Sequence, residues 1–139
     1  MPNQPSLEDR YAEQLAEKVS RFASMLRPNA HPPIDVFASP PTGYRQRCEF
    51  RIWHEAEQSD YVMFERGGGA RYTVETFPPA AATITELMPK LIKHINAHEV
   101  VRRRLFRVDF LSTLSGELVV TMVYHKALGA DWEAAAQAM

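Results

Sequence analysis

Cysteine is nearly absent from this chain. The one thiol, Cys48, excludes an internal disulfide and a cysteine-rich zinc site, and it suits a reducing compartment. Long hydrophobic runs are missing too. No stretch of about 18 apolar residues is available for a membrane span, and the polar, acidic start holds no apolar segment for secretion. Nor does charge of one sign prevail. With 16 Lys and Arg against 17 Asp and Glu, the net charge is -1 over 139 residues. Bulk attraction to a polyanion is therefore excluded, and any nucleic-acid role must come from local clustering of basic groups. What is present, 45% hydrophobic and 24% charged residues, is an ordinary globular balance for one domain with a moderate core, with the cytoplasm as its expected place.

Catalytic signatures are equally scarce. There is no GxGxxG and no nucleophile elbow. Gly67-Gly68-Gly69 is followed by neither Lys-Ser/Thr nor a helix, so it reads as a hairpin loop rather than a phosphate cradle. His94 and His98 have the i, i+4 spacing of a helical metal pair, but no HExxH pattern surrounds them and no third ligand is evident, so no metal is expected. Cys48 alternates with Phe50 and Ile52 and is expected to be core rather than nucleophile.

Periodicity outlines the elements. Leu7, Tyr11, Leu15, Val19, Phe22 and Leu26 form one stripe of a helix that starts after Ser6 and stops before Pro28. Residues 27–43 carry five prolines and read as an extended connection. Strands are expected over 44–54, 61–66, 70–75, 105–113 and 117–125, with a second amphipathic helix near 83–97 that contains Pro89. A three-residue loop at 67–69 would set Phe64 opposite Tyr72 and Val62 opposite Val74. Asp131 is the expected cap of a last helix, of which the sequence holds about two turns, so the chain looks cut inside an element. Runs of hairpins with helices imply an α+β fold, an antiparallel sheet with amphipathic helices packed on it.

The segment "YRQRCEFRIWH", residues 44–54, places Arg45, Arg47, Glu49, Arg51 and Trp53 on one side of a strand. An outer face neutralised by Glu49 explains such a pattern plainly. Guanidinium and aromatic groups on one pleated surface also suit phosphates and exposed bases. A second cluster, "RRRLFR", sets Arg102, Arg103, Arg104 and Arg107 around Phe106. A two-residue turn at Ser115-Gly116 would pair Phe110 with Thr121, Val108 with Val123, and Phe106 with His125. An aromatic ring and an imidazole would then face each other beside the arginines. Phe106 in the core and His125 at a bare strand end is the alternative.

"YAEQLAEKV", "YRQRCEFRIWH", "FPPA" with the following "LM", and "LFRVDFLSTLSGELVVTMVYHK" resemble the N-terminal part of the tRNA (uracil-5-)-methyltransferases over about Tyr11 to Trp132. Members of this family use S-adenosylmethionine to make 5-methyluridine at uridine-54 in the T loop of tRNA. The resemblance implies the tRNA T arm as partner, with other RNAs bearing a T-like loop as further candidates. It carries RNA contact onto Arg51, Phe106 and His125, which Arg45, Arg47 and Trp53 accompany on the arginine face. The family's cofactor loop and catalytic cysteine belong to a C-terminal Rossmann-like domain with no counterpart in these residues. Residues 1–139 are thus expected to be one RNA-binding domain, inactive by itself. A stand-alone RNA-binding or regulatory module is the competing class.

Overall fold

A computed structural model describes residues 5–139. Ser6 caps the first helix, α1 (Leu7–Leu26), through a reciprocal pair with Asp9, and Glu8 and Asp9 occupy its positive end. No residue of α1 is fully buried; Leu7 and Phe22 on its stripe stay exposed, as does Met25 beside it.

Five strands follow the expected order: β1 (Arg47–Glu55), β2 (Gln58–Phe64), β3 (Arg71–Thr73), β4 (Leu105–Ser112) and β5 (Leu118–Tyr124). They form one sheet in the order β3-β2-β1-β4-β5, antiparallel throughout. One face of this sheet carries the core. Cys48, Phe50 and Ile52 point into it from β1, while Arg47, Glu49, Arg51 and Trp53 point away, as alternation requires. The long second helix, α2 (Ala82–Ala97), lays Ile84, Met88, Leu91 and Ile95 against the sheet, at spacings of three and four that share one side. Phe50 sits at the centre, its ring 5.4 Å from Phe77, 5.6 Å from Tyr61 and 6.2 Å from Phe110. Pro89 is exposed off the buried stripe of α2, which continues through it.

Several expectations are corrected. The strand expected from residue 44 begins at Arg47; Arg45 instead makes an isolated parallel bridge with Ala80, its backbone bonded to Pro79 and Ala81. The glycine loop holds four residues, 66–69, because the Glu65 amide donates to the Ala70 carbonyl. Val62 therefore faces Thr73, and Phe64 faces Arg71, instead of Val74 and Tyr72. Likewise the β4–β5 turn has three residues, Leu114 to Gly116. Gly116 donates its amide to the Thr113 carbonyl and takes φ +97°, a conformation that favours glycine. Phe110 then faces Val120 and Val108 faces Met122, one position from the expected partners. A short helix, α3 (Glu99–Arg102), precedes β4, and the last helix, α4 (Ala130–Gln137), is capped by Gly129 rather than Asp131.

Candidate nucleic-acid interface

The outer face of the sheet is built by register. Arg51 lies opposite Val62 of β2 and Arg107 of β4, while Glu49 lies opposite Asp109. Two carboxylates facing each other would repel. Each is neutralised along its own strand: Arg47 pairs with Glu49, and Arg107 with Asp109 through Nη2–Oδ2 at 2.9 Å and Nε–Oδ1 at 2.7 Å. Among the described residues of this face, Arg104 at the end of the sheet pairs with no carboxylate, and neither do Arg51 and Arg71. Both lie over aromatic rings, Arg51 at 3.9 Å from the Phe106 centroid and Arg71 at 4.2 Å from Trp53.

Phe106 reaches this face through an irregularity. The β4–β5 pairing shifts between Leu105 and Arg107, and Phe106 is the bulged residue. Leu105 takes the core position at 1% exposure, and Phe106 is left half-buried outside it. The expected strand pairing of Phe106 with His125 does not form, since beyond the bulge His125 lies opposite Arg104; the bulge instead turns Phe106 onto the face that carries His125, where the side chains meet. Their rings stand 4.2 Å apart at 65°. His125 anchors the other side, its amide donating to the Arg104 carbonyl at 2.9 Å, and Arg104 takes φ +61°, in the left-handed region disfavoured for residues with a side chain. Core burial of Phe106, the plain alternative from the sequence, does not occur.

Arg51, Trp53, His54, Arg104, Phe106 and His125 thus line one open cleft of about 360 Å³. Aromatic and imidazole faces beside two unpaired guanidinium groups can stack an unpaired base and hold a phosphate. Of the six sites named from the sequence, Arg51, Trp53, Phe106 and His125 meet here. Arg45 and Arg47 do not. They line a separate shallow recess with Cys48 and Glu49, and Arg45 lies 5.8 Å from the Phe77 ring. The "RRR" run also disperses. Arg102 is held by Glu99 and the Ala56 carbonyl, Arg107 by Asp109, and of the four clustered arginines Arg104 alone lines the cleft.

Sequence reasoning missed Arg71. The three-residue loop assumed for the glycines set Tyr72, not Arg71, opposite Phe64; counting four loop residues finds it. Cys48 is buried at 4%, and burial pushes its thiol up against a smaller opposing pull from Arg45. It is not an activated nucleophile. No group of three or more metal-ligating side chains occurs among the described residues, and no helix among them is long and apolar enough to cross a membrane.

Residues 10–139 match the family model for tRNA (uracil-5-)-methyltransferase. The chain belongs to that family. A Vibrio parahaemolyticus protein named tRNA/tmRNA (uracil-C(5))-methyltransferase is 48% identical over 130 residues, 94% of this chain and 35% of its own length. Proteins of the same name from Pectobacterium carotovorum and Pseudoalteromonas atlantica are 46% and 43% identical, covering 94% and 93% of this chain and 36% and 35% of their own. This methyltransferase-family chain therefore spans about a third of the length of the curated relatives it matches.

Proposed function

We propose that the chain is the tRNA-recognition part of an S-adenosylmethionine-dependent enzyme that methylates C5 of uridine-54 in the T loop, and that it transfers no methyl group by itself. The observation that carries this reading is the meeting of Arg51, Phe106 and His125 in one cleft, held by a bulge and an uncompensated guanidinium group. In it, Phe106 and His125 offer faces to an unstacked base, Arg51 and Arg104 hold backbone phosphate, and Trp53 extends the aromatic wall. The relatives' names include tmRNA as well as tRNA, which supports a partner class of RNAs with a T-like loop.

The cofactor does not fit these residues. Gly67–Gly69 lie in a β-hairpin loop instead of leading a strand into a helix, and the one thiol is buried in the core. We assign S-adenosylmethionine to the part of the relatives that this chain does not match. Two measurements test the proposal. A T-arm hairpin RNA titrated into the chain should bind with an affinity that falls as salt rises, and loss of that salt dependence would reject RNA recognition. Unmodified tRNA incubated with the chain and S-adenosylmethionine should yield no 5-methyluridine, and its appearance would reject the division of labour.

A further inference from the structure

Among the described residues of the cleft, His54 is held at both ring nitrogens. Nε2 lies 2.8 Å from the Leu105 carbonyl oxygen, and Nδ1 lies 2.7 Å from Ser59 Oγ. A carbonyl only accepts, so Nε2 carries the hydrogen, and in the neutral ring Nδ1 accepts from the Ser59 hydroxyl. Ser59 is itself fixed. It is fully buried, and the Asn96 side chain takes both its backbone groups, accepting from the amide at 2.8 Å and donating to the carbonyl at 2.9 Å. The pairing of β2 with β3 covers Val62 to Phe64, and the next bond runs from the Val74 amide to the Tyr61 carbonyl. Beyond that point Asn96, projecting from α2, supplies the donor and acceptor that a further strand residue would supply. A continuous chain of hydrogen bonds thus runs from α2 through Ser59 and His54 to the carbonyl just before Phe106.

That carbonyl sits at a decision point. Ser112, Phe110 and Val108 of β4 point into the core at alternate positions. Continued without a break, the alternation would bury Phe106 and turn Leu105 outward. The bulge reverses the two. It lies where β1 and β4 cease to pair, the last partners being Arg51 and Arg107, so that ladder does not hold it. Arg104, immediately upstream, is strained at φ +61°. The bulged register therefore competes with a regular one that has no such strain.

We propose that His54 is a positioning residue: its hydrogen bond to the Leu105 carbonyl, backed by Ser59 and Asn96, selects the bulged register and so presents Phe106, rather than Leu105, to RNA in the Arg51–His125 cleft. The proposal rests on the RNA-recognition reading above. His54 acts through Phe106, so the two substitutions must not add.

The test titrates T-arm hairpin RNA into the 139-residue chain and its variants Phe106→Ala, His54→Phe, His54→Gln, His54→Asn and the double variant H54F/F106A. His54→Phe should weaken binding about as much as Phe106→Ala, by roughly five-fold or more, and the double variant should bind no worse than Phe106→Ala alone. His54→Gln, whose amide nitrogen falls near the Nε2 position, should stay within about two-fold of the parent, the usual tolerance of additivity. His54→Asn ends short of Leu105 and should reproduce the loss without introducing an apolar ring. In NMR spectra, the ring-current shift of the His125 imidazole protons by Phe106 should vanish with His54→Phe and persist with His54→Gln, while the Ile84 and Val108 methyls stay in place. Independent, multiplying losses in the double variant would overturn the proposal. So would an unchanged His125 shift in both His54→Phe and His54→Asn. A silent Phe106→Ala would overturn the cleft reading and the proposal together, whereas a damaging Phe106→Ala beside a silent His54→Phe overturns the proposal alone.

Discussion

Replacing Phe106 by alanine separates recognition from folding. The ring has two neighbours on the outer face, the Arg51 guanidinium 3.9 Å from its centroid and the His125 ring 4.2 Å away. It is not part of the buried cluster that holds Phe50, Leu105 and Phe110. Removing it forfeits an exposed cation–π contact of about 0.5–1 kcal/mol and a cross-strand pair of roughly 0.2–1 kcal/mol. The loss of stability should stay below about 2 kcal/mol, against roughly 3–5 kcal/mol for Phe→Ala in a packed core. A base stacked on an aromatic ring contributes about 1–3 kcal/mol, which is roughly a 5- to 150-fold change in Kd. The assay is a titration with T-arm RNA at several salt concentrations beside a urea melt. Affinity should fall while the salt slope holds, since no charge is removed. Intact affinity together with a core-sized loss of stability would show that the ring supports the fold and that the cleft is not a stacking site.

Two further predictions follow from pairing and burial. Arg51→Ala should flatten the plot of log affinity against log salt by about 0.7–0.9, one phosphate contact, whereas Arg47→Ala should change it less because Glu49 already neutralises Arg47. Equal slopes for the two variants would show that the ion pair does not govern which arginine meets phosphate. Burial raises the Cys48 pKa above its ordinary 9.0, so the unfolded thiol ionises first as pH rises. Its contribution to stability is complete below that pH and is lost as pH climbs through the folded value. Denaturant melts should therefore show a shallower alkaline decline for Cys48→Ala than for the parent, with Tyr61 and Tyr124 titrating in both. Identical alkaline slopes would contradict the burial argument.

Alternation and spacing carried most of the architecture. The stripe from Leu7 to Leu26 needs only local geometry, and it matches α1 residue for residue. The period of two in Cys48, Phe50 and Ile52 assigned the core face of β1 correctly. Hairpin registers were less legible. A loop can hold three or four residues for nearly the same composition, and each added residue moves every partner by one. That difference brought Arg71 rather than Tyr72 opposite Phe64 and onto the face of Trp53. Arg45 lies outside the Arg51–His125 cleft for a related reason: its backbone is bonded to the segment before α2, not to the strand whose alternation it was expected to share.

The meeting of Phe106 with His125 shows the division most clearly. By itself the sequence determined that an aromatic residue, an imidazole and several arginines lie at the open end of a hairpin, because strand parity and turn position are local properties of the chain. It also determined the family, through long blocks of characteristic residues. Which side chain leaves the core was decided only in three dimensions. Leu105 and Phe106 are neighbours, both apolar, and either satisfies a hydrophobic pattern. The choice depends on a carbonyl that finds its donor 51 positions earlier in the chain, on His54, and on a serine whose backbone is held 37 positions away by Asn96. Likewise, which arginines remain free is set by carboxylates that neutralise their neighbours, and charge counting cannot see geometry. Local patterns fix faces and elements, while long-range hydrogen bonds and ion pairs select among alternatives that those patterns leave nearly equal in energy.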